Sequence, residues 1–115
     1  MSEDRTAIHV LLIEDDPNQA HHLSQMVSSL ETDLQFTHTT SLADAIAYLA
    51  SNHVDVMLLD LSLPDSQDLD PLLKVSQHSP AVPIIVLTDR EDNDLAARLL
   101  QEGAQDYLVK SQGTS

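Results

Sequence analysis

The chain has 115 residues, of which 5 are basic and 19 acidic, so its formal net charge is −14, and it contains no cysteine. This length suits one domain with a single core, and the absence of cysteine excludes disulfide frameworks, zinc–thiolate sites and cysteine nucleophiles. The negative charge disfavours direct binding to nucleic acid or to anionic lipid. With no apolar stretch of membrane length and no signal peptide, the sequence predicts a cytoplasmic protein without a membrane partner.

The first predicted strand is apolar and rich in β-forming residues, and it runs from Ala7 to Ile13. The acidic turn from Glu14 to Pro17 closes it. Pro17 suits the first turn of a helix, and Asp16 suits the N-cap in front of it. The helix predicted next, Asn18 to Leu30, carries its apolar residues at helical spacing.

The second strand–helix pair has a different pattern. Residues Leu34 to Thr39 alternate apolar and polar side chains, which is typical of an edge strand. Ser41 is a suitable cap for a second helix, whose apolar stripe runs from Leu42 to Ala50. Asn52 and His53 end that helix.

The third predicted strand is the apolar run Val56 to Leu59, and it ends abruptly in the carboxylate of Asp60. Such a run suits a central parallel strand, because helices cover both of its faces. Pro64 ends any regular hydrogen-bonding ladder after it. A short third helix is predicted on the apolar residues Leu69, Leu72, Leu73 and Val75, and Ser79 and Pro80 end it.

The last predicted elements are a fourth strand at Pro83 to Thr88, a helix at Arg90 to Glu102 and a short strand at Asp106 to Val109. Gly103 stops the helix, since glycine readily takes the left-handed conformation that ends helices. Lys110 follows the fifth strand.

Strands that alternate with helices predict βαβ units and a doubly wound parallel sheet. The carboxyl ends of its strands would lie along one rim, where such sheets bind ligands. Carboxylates, a hydroxyl and an ammonium meet there: Glu14, Asp15, Asp16, Asp60, Thr88 and Lys110. Hard carboxylates select magnesium or manganese, and an aspartate can be the nucleophile in phosphoryl transfer.

Four segments, LLIEDDP, VMLLDLSLPD, PIIVLT and GAQDYLVK, resemble the receiver domain of two-component response regulators, including chemotaxis regulators. The resemblance covers residues 7 to 110 in the family's order. It implies a flavodoxin-like fold with strand order 2-1-3-4-5. It also implies that Asp60 accepts a phosphoryl group from a sensor histidine kinase or a histidine phosphotransfer protein, and that an output domain or protein outside this chain responds.

The resemblance assigns Mg²⁺, or Mn²⁺, as the cofactor. Asp15 and Asp60 would be its side-chain ligands, the backbone carbonyl of Ser62 a third ligand, and Glu14 would bind through water. The chain would be a phosphoacceptor and not an enzyme, apart from a capacity to dephosphorylate itself.

The resemblance also assigns roles around the phosphoryl group. Thr88 and Tyr107 would be the switch pair, and Lys110 would contact the acyl phosphate. Ser62 and Arg90 would tune the lifetime of the phosphorylated state.

The sequence departs from the family pattern at three positions. Asp89 follows the switch threonine where the family has a small residue, so its carboxylate could repel a phosphoryl group. Asp68 stands where related sequences have glycine, and Ser111 stands where proline usually follows the lysine. The last difference puts the family's cis peptide at that point in doubt.

Simpler roles stay open for several residues. Asp16 is as suitable for capping a helix as for a place near the metal. Thr88 and Tyr107 suit ordinary strand-end and packing positions. The six histidines show no paired metal spacing and are expected to face solvent, apart from His9 in the first strand.

Two alternatives to a phosphoaccepting receiver remain. One is a degenerate receiver that only binds proteins. Asp89 argues mildly for it, and the presence of the acidic pair, Asp60, Thr88 and Lys110 argues against it. The other is a metal-dependent phosphohydrolase with an aspartyl nucleophile. Such hydrolases usually carry a second acid two residues after the nucleophile, where this chain has Ser62.

Residues 1–115 are expected to form a single receiver domain whose C-terminal helix is missing. Only residues 111–115 follow Lys110, too few for a fifth helix. The sheet face beside the first helix, near Leu11, Leu23 and Val109, is therefore expected to be uncovered. A homodimer could cover it.

Overall fold

The computed structural model describes residues 7–28, 33–61, 69–88 and 93–109, and in these ranges five strands alternate with four helices. In chain order they are β1 (Ile8–Ile13), α1 (Pro17–Ser28), β2 (Leu34–Thr39), α2 (Leu42–Ser51), β3 (Val56–Asp60), α3 (Asp70–His78), β4 (Ile84–Thr88), α4 (Asn93–Gln101) and β5 (Asp106–Val109). Across these ranges, no helix is both long and apolar enough to cross a membrane.

The five strands form one parallel sheet in the order β2-β1-β3-β4-β5, so the predicted flavodoxin-like topology is confirmed. This order places β3 at the centre, which explains its continuous apolar run. It places β2 at an edge, which explains that strand's alternating pattern. The register sets Leu12 beside both His38 and Leu58, and it sets Asp60 beside Leu87.

The larger core lies between one face of the sheet and helices α2, α3 and α4. Alternate residues of each strand point to this face, because side chains alternate along a strand. Leu11, Met57 and Val86 are fully buried there, together with Leu72 and Leu99 from the helices. Burial of this kind stabilises the fold by roughly 1.5–3 kcal/mol for each large apolar side chain.

The opposite face of the sheet carries α1 and a smaller cluster. Leu12, Ala20 and Leu87 are buried in it, and Leu23 and Leu58 are half-buried against it. Two helix ends also match their sequence signals. The Ser41 hydroxyl accepts a hydrogen bond from the Asp44 amide (3.1 Å), and Gly103 ends α4 with φ at +116°.

Several predicted boundaries need correction. β1 begins at Ile8 and β4 at Ile84, each one residue later than the sequence pattern indicated. Helix α1 begins at Pro17, as a proline at the first helical position allows. Helix α3 begins at Asp70, one residue after Leu69, and it ends at His78, directly before Ser79, where the sequence placed its end. The predicted end of the first helix and start of the fourth lie outside the described residues.

The predicted uncovered face is wrong in part. Leu11 is buried in the larger core, and the strand register sets Val109 beside Thr88 on that same side of the sheet. The large apolar side chains exposed on the α1 side, among the described strands, are Ile8 (41% exposed) and Leu108 (52% exposed). The tail after the fifth strand lies outside the described residues, so the expected lack of a fifth helix stays a prediction.

Candidate phosphoacceptor and metal site

Three carboxylates meet where two adjacent strands end. Asp60 is the last residue of β3, and Glu14 and Asp15 come directly after β1. Because β1 and β3 are parallel neighbours, their carboxyl ends lie side by side. One carboxylate oxygen from each of the three residues lies within 4.8 Å of the other two. The sheet therefore assembles the acidic group that the sequence predicted.

Burial makes this group electrostatically demanding. Glu14 is 0% exposed and Asp60 1% exposed, whereas Asp15 faces solvent. Two ionised carboxylates about 5 Å apart repel each other by about 3 kcal/mol at an effective dielectric constant of about 20. A divalent cation would offset that repulsion, and an all-oxygen set of donors suits magnesium or manganese.

Asp16, the third acid of the turn, caps α1. Its Oδ1 accepts a hydrogen bond from the Asn18 amide (2.9 Å), and its carbonyl accepts one from the Ala20 amide (3.0 Å). The Asp16 amide also donates to Glu14 Oε2 (3.3 Å). The sequence left two roles open for Asp16, and these contacts support the helix cap. The acidic group consists of Glu14, Asp15 and Asp60 and does not include Asp16.

Thr88 and Tyr107 lie on neighbouring strands on the same side of the sheet. Thr88 ends β4 and is 4% exposed. Tyr107 is half-buried against the larger core and pairs with Val86, two residues before Thr88. This placement suits both a switch pair and ordinary packing, so the switch role stays a prediction.

Several residues named from the sequence lie outside the described ranges. They are Ser62, Asp68, Asp89, Arg90, Lys110 and Ser111. The third metal contact, the phosphate-contacting lysine and the lifetime-tuning arginine therefore stay predictions.

Sequence reasoning missed the contact between His38 and the acidic turn. His38 faces solvent, as expected, but its Nε2 also donates a hydrogen bond to the Glu14 carbonyl oxygen at 2.6 Å. The strand order brings the two together, because β2 lies beside β1 with His38 level with Leu12. The resemblance already implied that the second strand lies beside the first, but it did not give the register that sets His38 level with Leu12.

A second missed group lies nearer the amino ends of the strands. His9 Nε2 lies 2.9 Å from Thr37 Oγ1 and 2.8 Å from the Tyr48 hydroxyl, and the two hydroxyls are 3.1 Å apart. The rings of His9 and Tyr48 meet edge to face, with centroids 5.8 Å apart. These contacts join β1, β2 and α2, and they account for a half-buried histidine in an otherwise apolar strand.

The fold and the site define a class of protein. It is an open, doubly wound α/β domain with a buried carboxylate at the end of its central strand and further carboxylates beside it. The sequence model of the response regulator receiver domain family matches residues 10–115 of this chain. The chain therefore belongs to the receiver domain family of two-component response regulators, and the predicted family is confirmed.

Curated relatives agree with this assignment. The chain is 34% identical over 99 residues to the regulatory protein LuxO of Vibrio cholerae, a match of 86% of this chain and 21% of that protein. It is 30% identical over 103 residues to the response regulator UvrY of Escherichia coli, a match of 90% of this chain and 47% of that protein. The chain thus spans between a fifth and a half of the length of these relatives.

Solved structures show the same fold. The signal receiver domain of a putative Luxo repressor protein from Vibrio parahaemolyticus aligns with a TM-score of 0.81 and 31% identity, covering 91% of this chain and 79% of that one. A two-component response regulator from Clostridium difficile aligns with a TM-score of 0.81 and 20% identity, covering 93% of this chain and 86% of that one.

Proposed function

We propose that Asp60 accepts a phosphoryl group from a phosphohistidine. A carboxylate oxygen of Asp60 attacks the phosphorus, the bond from phosphorus to the imidazole nitrogen breaks, and the leaving imidazole takes up a proton. The observation that carries the proposal is a buried aspartate at the end of the central strand, with two more carboxylates beside it. Nothing in the described residues favours the phosphohydrolase alternative.

The acidic group suits Mg²⁺ or Mn²⁺ as the cofactor. Asp15 and Asp60 would be side-chain ligands, Glu14 would hold a bound water, and the Ser62 carbonyl would complete the protein ligands. Bound there, the cation neutralises charge on the phosphoryl oxygens. The support is that one carboxylate oxygen from each of the three acidic residues lies within 4.8 Å of the other two. Asp15, which faces solvent, leaves that position accessible to a hydrated ion.

The remaining roles at the rim belong to the same proposal. Lys110 would contact the acyl phosphate, which places a cation beside the new negative charge. Thr88 and Tyr107 would be the switch pair: the Thr88 side chain would move toward the phosphoryl group, and the Tyr107 side chain would move together with Thr88. The support for this pair is their position on adjacent strands, facing the same side of the sheet.

The proposed donor is a sensor histidine kinase or a histidine phosphotransfer protein, and the proposed recipient of the signal is an output domain or protein outside this chain. The proposal includes a cytoplasmic location for this chain, because the kinase that phosphorylates it must itself have access to a nucleoside triphosphate. A second copy of the chain is a further proposed partner, supported by the exposed Leu108.

The test of the proposal is covalent labelling. Incubation with acetyl phosphate and magnesium should add one phosphoryl group to the wild type and none to Asp60→Asn, as read by intact mass spectrometry. Asp44→Asn, a substitution at an exposed residue of α2, is the matched control and should label normally. Equal labelling of the wild type and Asp60→Asn would contradict the proposal. If neither is labelled, the degenerate receiver is favoured, and Asp89→Ala should then restore labelling.

The lifetime of phospho-Asp60 is proposed to depend on Ser62 and Arg90, and the chain would remove its own phosphoryl group by attack of water. The Arg90 side chain would shield the phosphorus from that water. Arg90→Ala should therefore shorten the half-life of the labelled protein, as followed by loss of the phosphoryl mass over time. Arg98→Ala, in α4, is the control. A half-life that is unchanged or longer in Arg90→Ala would count against the shielding role.

A further inference from the structure

The contact between His38 and Glu14 fixes the hydrogen position on the imidazole. A carbonyl oxygen can only accept a hydrogen bond, so Nε2 of His38 must carry the hydrogen in the 2.6 Å contact. The carbonyl belongs to the peptide group that joins Glu14 to Asp15. The imidazole therefore restrains the orientation of the peptide that leads directly into an exposed carboxylate of the acidic group.

The hydrogen bond lies where the strand ladder ends. Strand β1 stops at Ile13, and the last backbone bond to β2 is donated by the Glu14 amide to the Thr39 carbonyl (3.0 Å). The next group along the chain, the Glu14 carbonyl, is bound by a side chain of β2 instead. Both backbone groups of Glu14 are thus held by the edge strand, one by Thr39 and one by His38.

We propose that His38 is a positioning residue for the metal site. It holds the peptide between Glu14 and Asp15 in the orientation that keeps the Asp15 carboxylate close to those of Glu14 and Asp60. The inference rests on the proposed function, because it takes these carboxylates as the place where magnesium binds. Hydrogen bonds that orient metal ligands are typically worth about 10–100-fold in affinity. Since His38 is exposed, we expect the lower end, about tenfold.

The experiment uses two variants of equal side-chain length. His38→Gln keeps an N–H donor at the same number of bonds from the backbone, and His38→Met has none. Magnesium affinity is measured by titration, and the labelling rate with acetyl phosphate is measured at low and at saturating magnesium. His38→Met should weaken magnesium binding about tenfold and label at the wild-type rate once magnesium saturates, and His38→Gln should restore most of the affinity.

The control is His21→Met. His21 lines the same groove between α1 and β2 as His38, so this variant also removes an imidazole from that groove. It should bind magnesium as the wild type does. Equal weakening in His38→Met and His38→Gln, or none in either, would overturn the inference. The same holds if His21→Met weakens binding as much as His38→Met does.

A readout without metal separates this inference from the proposed function. In the magnesium-free protein, the carbonyl ¹³C resonance of Glu14 should shift upfield in His38→Met and stay near its original position in His38→Gln. Backbone ¹⁵N relaxation at Asp15 should show more motion in the Met variant alone. If the wild type takes no label, the proposed function fails, and these resonances still decide whether His38 holds the acidic turn. An unchanged Glu14 resonance in His38→Met would refute that role.

Discussion

Two neighbouring aspartates show how the same side chain takes different roles at the scale of single residues. Asp15 contributes a carboxylate oxygen to the acidic group, and Asp16 binds the first turn of α1 through the Asn18 amide. One residue of separation along the turn is enough to direct the first carboxylate toward Asp60 and the second toward the helix. The two aspartates therefore make a matched pair for testing the metal site.

Asp15→Asn should weaken magnesium binding by more than about tenfold, because even residues that merely orient a metal ligand contribute about that much. Asp16→Asn should change the affinity little, since asparagine caps helices as well as aspartate does. Amide chemical shifts recorded during a magnesium titration measure both. Equal losses in the two variants would mean that total charge, and not a specific ligand, determines binding.

At the scale of elements, the connection between α2 and β3 is tied to β1 by Asp55. Its Oδ2 accepts a hydrogen bond from the His9 amide (2.8 Å), and its Oδ1 lies 2.8 Å from His53 Nε2. The His9 amide, and then the His53 side chain, lower the pKa of Asp55 below its ordinary value of 3.8. The ionised carboxylate is therefore the form that these contacts stabilise in the folded chain.

This shift predicts a pH dependence of stability. A pKa lowered by folding adds stability at pH values above 3.8, and the contribution is lost as the pH falls through the lower, folded pKa. Asp55→Asn should therefore have a lower free energy of unfolding than the wild type near neutral pH. This difference between the two proteins should become smaller below pH 3.8. Urea unfolding at a series of pH values measures it.

The accompanying variant His53→Gln should reproduce only part of the Asp55→Asn change, because the larger cause, the His9 amide, remains. If the difference in the free energy of unfolding between the wild type and Asp55→Asn becomes larger on acidification, the stabilising role of the Asp55 carboxylate is contradicted.

At the scale of the whole molecule, exposed apolar surface and net charge act in opposite directions. Leu108 is 52% exposed on the side of the sheet that carries α1, which favours association of two copies. Each copy carries a formal charge of −14, which opposes it. Charge repulsion is screened over about 8 Å at physiological ionic strength, whereas apolar burial is not weakened by salt.

Self-association should therefore strengthen as salt is raised, as measured by sedimentation at several ionic strengths. Leu108→Ser should abolish it. Leu100→Ser is the matched control, because Leu100 is 50% exposed on α4, a helix on the other side of the sheet. A monomer at every salt concentration, or loss of association in Leu100→Ser alone, would show that the α1 side does not mediate contact between copies.

The sequence by itself determined the order and type of the elements, because they depend on local patterns. The apolar run before Asp60 specified a central strand, the alternation from Leu34 to Thr39 an edge strand, and Gly103 the end of a helix. The acidic group was also predictable. Parallel strands bring their carboxyl ends to one rim, so residues after β1 and β3 had to meet.

Only the tertiary structure decided which side chains from different strands touch. The contact of His38 with the Glu14 carbonyl and the cluster of His9, Thr37 and Tyr48 depend on the register between strands and on how α2 packs, which a single sequence does not display. The same reason explains why Leu11 was assigned to the wrong face. Alternation shows that neighbouring residues point to opposite sides, but the positions of the helices decide which side is covered.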